Sequence, residues 1–223
     1  MNRQHVMKPF GSALEDKAMR STARQRFSTV VLSALCALFL LASFPASTVR
    51  PQAMTVIGGN QKAQNCYQQA QMHDDRLITS SSLDDCDYAL QYVSLNRVDR
   101  MATYTNRGIL YLALEQPAQA LADFEAAIAI DPNKGEIYVN RGNAWFMSGD
   151  LNKAIEDYLH AADLGIEQPR IIYLNLGIAY ERQGSLRMAE TAYEEALALS
   201  PQWPLALNSL TMLREKIEAE ANP

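Results

Sequence analysis

Apolar residues in the second half of this chain recur three and four positions apart, as in Leu121, Phe124 and Ile128 or Ile155, Tyr158 and Leu159. That is the period of an amphipathic helix. The periodic stretches come in pairs, at about 61–73/83–96, 101–114/117–130, 135–148/151–164 and 169–182/185–198, with a last one at about 204–220. The residues between them are those of helix ends. Pro117 suits the first turn of its helix, and Gly149–Asp150 and Gly184–Ser185 each offer a C-terminal glycine followed by an N-cap. The last stretch opens at Pro204. It sets Leu207, Leu210 and Leu213 against a charged side made by Arg214, Glu215, Lys216, Glu218 and Glu220, as a terminal helix with one wet face requires.

The paired stretches repeat a slot pattern. Tyr104, Gly108, Tyr111, Ala120, Phe124, Ala127 and Pro132 align with Tyr138, Gly142, Trp145, Ala154, Tyr158 and Ala161, and again with Tyr173, Gly177, Tyr180, Ala189, Tyr193, Ala196 and Pro201. The glycines are 34 and 35 residues apart. The small residues let two antiparallel helices approach closely, and the large ones fill the space beside that contact. A single hairpin cannot bury its apolar face alone, so the copies must stack.

This pattern resembles the tetratricopeptide repeat (TPR), in period and in its order of aromatic, Gly, Tyr, Ala, aromatic and Pro, over nearly half the chain. The resemblance implies an all-α fold: a right-handed α-solenoid of TPR helical hairpins with a C-terminal capping helix. The domain reading is a signal peptide or membrane anchor at 1–46, a flexible leader at 47–60 and a degenerate N-terminal hairpin at 61–100. TPR hairpins follow at 101–134, 135–169 and 170–203, then the cap at 204–223. In the degenerate hairpin Cys86 takes the slot of Ala120, Leu90 that of Phe124 and Val93 that of Ala127, with Ser82 and Asp85 as an N-cap pair. The second repeat ends differently, on Ala162-Asp163-Leu164-Gly165-Ile166 with one extra residue before Pro169, so its junction should bend differently.

The N-terminus changes the compartment. Lys8, Arg20, Arg24 and Arg26 precede an uncharged run from Phe27 to Phe44 and then Pro45, the order of a secretory signal. Export, periplasmic or extracytoplasmic, is the expectation. An uncleaved membrane tether through residues 27–44 is its rival, since 18 uncharged residues are just long enough to span a bilayer. Met19 is an alternative start that gives the segment ordinary proportions. Cys36 lies inside the apolar run after Leu35, which disfavours a lipid anchor. The whole chain has 223 residues, 48% of them hydrophobic and 20% charged, ordinary globular material. Beyond residue 46 there remain 14 basic and 23 acidic residues, net −9. Such a surface repels nucleic-acid phosphates and anionic lipid alike.

Outside the signal only Cys66 and Cys86 remain. In an exported protein an even pair reads as a disulfide, in a cytosolic one as two buried thiols. A crosslink closing this loop contributes roughly 3 kcal/mol in the entropic model. The pair lacks CxxC spacing and so does not read as a redox site.

Two copies carry Asn-Arg-Gly, at Asn106-Arg107-Gly108 and Asn140-Arg141-Gly142, and both carry an aspartate, Asp123 or Asp157, one residue before the second-helix aromatic. The third copy reads Asn175-Leu176-Gly177 and has Ala192 instead. The correlation pairs Arg107 with Asp123 and Arg141 with Asp157 as structural ion pairs. The asparagine is present in all three copies. The resemblance places that slot on the concave face, where in some members an asparagine ladder grips an extended peptide. Asn106, Asn140 and Asn175, with Asn143 one turn along, are therefore the candidate peptide-binding residues. A purely structural role, bonding to neighbouring helices, stands beside that reading. Ile109, Val139, Phe146, Met147 and Ile178 would form an apolar floor. Where other TPR proteins place lysines to clamp a C-terminal carboxylate, this chain has Thr105, Val139 and Leu174.

No motif calls for catalysis, a cofactor or a metal: His5, His73 and His160 stand apart, and there is no phosphate loop or nucleophile motif. The reading is a non-catalytic, exported module that binds a protein or peptide partner in its groove. Its alternative is a structural adaptor, or a membrane-tethered envelope assembly factor, acting through its convex face or ends.

Overall fold

Glycine sits directly beneath an aromatic ring in three successive hairpins, and this contact sets how closely each pair of helices packs. A Cβ at Gly108 would lie 2.6 Å from the Phe124 ring, and one at Gly142 2.5 Å from Tyr158; Gly177 stands against Tyr193 in the same way. All three rings are buried, as are Ala120, Ala154 and Ala189 on the same helices.

The computed structural model describes residues 51–72 and 74–221. The signal or anchor at 1–46, its run at 27–44, Cys36, His5 and His73 lie outside the described residues. Nine α-helices follow one another among the described residues: α1 (Gln61–Ala70), α2 (Asp84–Tyr92), α3 (Arg97–Ala113), α4 (Pro117–Ile130), α5 (Gly135–Ser148), α6 (Leu151–Leu164), α7 (Pro169–Gln183), α8 (Leu186–Leu199) and α9 (Pro204–Ala221). The fold is an all-α TPR stack. The pairs α3/α4, α5/α6 and α7/α8 make the heaviest helix contacts, and each hairpin packs on the next. The apolar core is a chain of clusters. One joins the first hairpin to α3, α4 and α5, a second spans α5 to α8, and a third spans α7 to α9. Stability is therefore passed from neighbour to neighbour.

Helix ends follow local chemistry. Pro117 and Pro169 occupy first turns, and Gly149 and Gly184 close α5 and α7 with φ of 86° and 85°, where L-residues are strained. The Asp150 side chain accepts from the Lys153 N–H. Ser185 makes no side-chain cap bond; its hydroxyl donates to Gln183 instead. Gly165, also at positive φ, turns the second junction.

Several expectations need correction. The leader at 51–57 is not free but is laid along the stack, as described below. The helix expected over 83–96 stops at Tyr92, and α3 begins at Arg97 rather than 101, because the Asn96 side chain caps it: its Oδ1 accepts the Asp99 N–H at 2.8 Å, and its Nδ2 donates to the Asp99 carboxylate at 2.7 Å. Val93 lies in extended backbone outside any helix, and Ala89 rather than Leu90 is fully buried. Ser82 does not cap α2 with Asp85; it accepts the Thr79 N–H, while Asp85 bonds Lys62 and Asn65 across the hairpin. On α9 Leu207 is exposed and Ala206 takes its place on the stack with Leu210 and Leu213; Leu159 on α6 is exposed as well. In both helices the period and phase hold, since Leu210, Leu213, Ile155 and Tyr158 are buried, and a single position differs.

The ring-over-glycine contact predicts the effect of a single methyl group. Gly142→Ala gains up to about 1 kcal/mol of helix propensity but forces Tyr158 off its seat, a cost of about 1–3 kcal/mol. The variant should melt several degrees below the parent chain in a circular dichroism scan, and an unchanged or higher Tm would contradict the contact's role.

Candidate functional site

Helices α3, α5 and α7 each present one asparagine from the same slot, and the surrounding packing fixes all three. Asn106, Asn140 and Asn175 are buried. Their amides do not all bond to the helix stack. Asn106 Oδ1 accepts the Met54 N–H at 2.7 Å and its Nδ2 donates to the Met54 carbonyl at 2.8 Å. Asn140 treats Gln52 in the same way, with both bonds at 3.1 Å. Each side chain thus gives one donor and one acceptor to a single residue of an extended backbone, as the facing residue of an adjacent β-strand would. The residues gripped are two apart, matching the alternation by which every second residue of a strand turns its N–H and C=O to the same side.

The third rung is wired differently. Asn175 Nδ2 donates to Asn143 Oδ1 at 3.1 Å, and the Tyr158 hydroxyl donates to the same oxygen at 2.8 Å. Burial raises the Tyr158 pKa far above that of a free phenol, so the hydroxyl keeps its proton and remains a donor. Asn143 Nδ2 is buried without a hydrogen-bond partner.

Sequence reasoning missed Asp99. It lies seven residues before Asn106 on α3, hence on the same face, and it is buried. Its Oδ1 accepts the N–H groups of Ile57 at 2.8 Å and Gly58 at 3.0 Å, while Asn96 holds its other oxygen. The i, i+7 spacing from Asn106 and the Asn-x-x-Asp cap were the signals available. Of the expected floor, Ile109 and Val139 are buried in core clusters, while Phe146, Met147 and Ile178 are half-buried against them. Thr105, Val139 and Leu174 are all fully buried, and Thr105 bonds the Met101 carbonyl. None of the three is a cation, so a lysine-type carboxylate clamp is absent from these slots.

The arginines face their aspartates across each hairpin. Arg107 Nε and Nη2 donate to Asp123 at 2.8 and 2.7 Å, and Arg141 meets Asp157 at the same distances. Arg107 also bonds Asp87 of α2, tying the first hairpin to α3. Burial alone would favour neutral Arg107, but the bonds and charge of Asp123, with Asp87, outweigh it and raise its pKa; Asp157 does the same for Arg141. In the third hairpin Leu176 and Ala192 are both buried in one apolar cluster. The ion pair is thus exchanged for packing, a substitution that interiors tolerate.

Cys66 and Cys86 are fully buried, with their sulfurs within disulfide bonding distance and Cα atoms 4.9 Å apart. Among the described residues no group of three His, Cys, Asp or Glu side chains gathers to hold a metal, and His160 packs edge-on to Tyr138 at 4.4 Å.

Comparison with known proteins agrees with this architecture. Residues 102–134 and 171–203 match tetratricopeptide repeat models, so the chain carries two TPR repeats by sequence, with α5/α6 built alike between them. Human Superkiller complex protein 3 is 27% identical over 172 residues, 70% of this chain but 11% of that protein. The chain therefore spans a small part of the curated relatives it matches. Among solved structures, the Cut9–Hcn1 hetero-tetramer of the APC/C superposes with a TM-score of 0.57 at 22% identity, covering 68% of this chain and 28% of that one. The first TPR of Spaghetti (RPAP3), bound to the HSP90 peptide SRMEEVD, superposes at 0.50 and 22% identity, covering 53% of this chain and 96% of that domain.

A double-mutant cycle tests the ion pairs. Arg141→Ala and Asp157→Ala should each destabilise by about 2–3 kcal/mol, because each strands its partner's charge. The double variant should cost less than the sum by on the order of 1 kcal/mol or more. Chemical denaturation measures it; a coupling energy of zero would remove the pair from the account.

Proposed function

We propose that this chain is a non-catalytic interaction module that holds an extended peptide, or an extended segment of a protein, along the face of α3, α5 and α7. The supporting observation is the pair of asparagines that each satisfy both backbone groups of one residue in an extended strand. Such contacts read the backbone and leave side-chain specificity to neighbouring pockets. Each hydrogen bond contributes roughly 0.5–1.5 kcal/mol net, so several rungs are needed for useful affinity. The neighbour named above holds an acidic peptide. In this chain an aspartate lines the groove and the lysine-clamp slots are buried apolar or hydroxyl side chains, so an uncharged ligand fits better than an acidic one.

The proposed setting is outside the cytoplasm, with Cys66 and Cys86 joined as a disulfide that fastens α1 to α2 at the end of the stack. An oxidising compartment suits that bond, and an end hairpin, packed on one side only, gains most from a covalent tie.

Capture from envelope extract tests the groove. Proteins retained by the parent chain should be lost with Asn106→Ala/Asn140→Ala and kept with Glu156→Ala on α6, the second helix of its hairpin. If the asparagine variant retains the same proteins, the adaptor reading, through the convex face or ends, replaces this one. The disulfide is checked by mass spectrometry of the exported protein without reductant. The Cys66 and Cys86 peptides should run linked, and alkylation of both thiols would rule the bond out.

A further inference from the structure

The strand seated in the groove belongs to the chain itself. It runs antiparallel to the order of the repeats: Gln52 lies on the second TPR hairpin, Met54 on the first, and Ile57 and Gly58 at the start of α3. Its contacts are those of a ligand. The asparagines grip Gln52 and Met54 through their backbone groups, while the side chains of Ala53, Met54 and Val56 press into the apolar clusters and Thr55 and Ile57 stay exposed. None of residues 51–57 is charged. At its far end Gly58 brings the backbone so near that a Cβ there would strike the Asp99 carboxylate. Gly59, where an added Cβ would meet open space, and Asn60, the cap of α1, are all that separate the held Gly58 from the first helix, so a short joint connects the strand to the stack.

Resting on the groove reading above, we infer that residues 51–57 are a resident pseudo-ligand, and that the partner in trans binds by displacing them. That partner is an extended, uncharged segment with small or apolar side chains at the places of Ala53, Met54 and Val56. The tethered strand competes at an effective concentration of about 1 mM, so the affinity of any rival is reduced by the fraction of chains whose groove is open. A longer incoming strand has a foothold that the described leader does not use. At the same pitch its next paired residue reaches Asn175, beside the unpartnered Nδ2 of Asn143.

The test uses the full chain and a fluorescent peptide of residues 51–59. Gln52→Pro/Met54→Pro removes both N–H donors to the ladder at positions that lie outside every helix. Fluorescence anisotropy should show the peptide binding this variant at least about tenfold more tightly than the parent, and the gain should vanish when Asn106→Ala and Asn140→Ala are added. Equal affinity for parent and proline variant, still dependent on the asparagines, would overturn displacement and leave the groove reading standing. Absence of binding to the proline variant, or binding indifferent to the asparagines, would overturn both. Should the proline variant lose helical signal, hydrogen exchange on the unaltered chain decides. The Gln52 and Met54 amides should exchange well ahead of the Leu110 and Ile172 amides, and exchange only on global unfolding would make the strand a fixed part of the fold.

Discussion

The contact between a glycine and the aromatic ring of the next helix governs this molecule. Gly108, Gly142 and Gly177 allow Phe124, Tyr158 and Tyr193 to lie flat against α3, α5 and α7, and three hairpins of one build result. Because the builds match, the residue two positions before each glycine recurs in the same orientation along the stack. The asparagines form a ladder for that reason: their spacing is inherited from the rings beneath them. Tyr158 makes the link directly, since its ring packs on Gly142 while its hydroxyl holds Asn143 at the third rung.

Polar groups inside the stack follow the same economy. Each Arg–Asp pair is a planar, two-bond clamp across a hairpin, placed where the ring and the small residues leave room for it. The third hairpin shows that the clamp is dispensable when both members change together, because Leu176 and Ala192 need no partner. A change to one member alone leaves a buried charge or an unfilled donor set, and for that reason the two positions vary as a unit within this one chain.

The hairpins were legible in the sequence because their determinants are local: a period of three and four, a glycine and an aromatic 16 residues apart, and prolines and glycines at helix ends. Within the helices the errors fell on single positions at the edge of a correctly phased face, Leu159 and Leu207. Ala206 outcompetes Leu207 for the stack because close packing against α8 rewards a small side chain, and bulk alone pointed to the leucine. The asparagines and the Arg–Asp correlation stood out by recurrence. The leader and Asp99 did not recur, so the recurrence that marked the asparagines could not mark them. A segment without a period, containing one proline and two glycines, reads as a free linker until its partners, 41 to 88 residues away, are seen to bond it. Asp99 lay outside the helix expected from residue 101, although α3 begins at Arg97 and includes it.

Why the groove uses amides follows from what an extended strand exposes. Its N–H and C=O demand one acceptor and one donor on the same side, and asparagine is the shortest side chain that offers both on two separate, adjacent atoms. A carboxylate satisfies only N–H groups, and Asp99 is found where the strand turns away and presents two of them in succession. A cation would satisfy only carbonyls. On the proposed reading, such a ladder would accept almost any backbone, and selection among strands would fall to shape and charge: the apolar seats now filled by Ala53, Met54 and Val56, and the carboxylate of Asp99, which disfavours acidic strands. A surface so permissive, left open, would pair with any unfolded segment it met, as an unprotected sheet edge does. On the reading proposed above, a short uncharged strand of the chain's own, seated on two of the three asparagines, covers that surface and yields it to ligands that bind better than the leader itself.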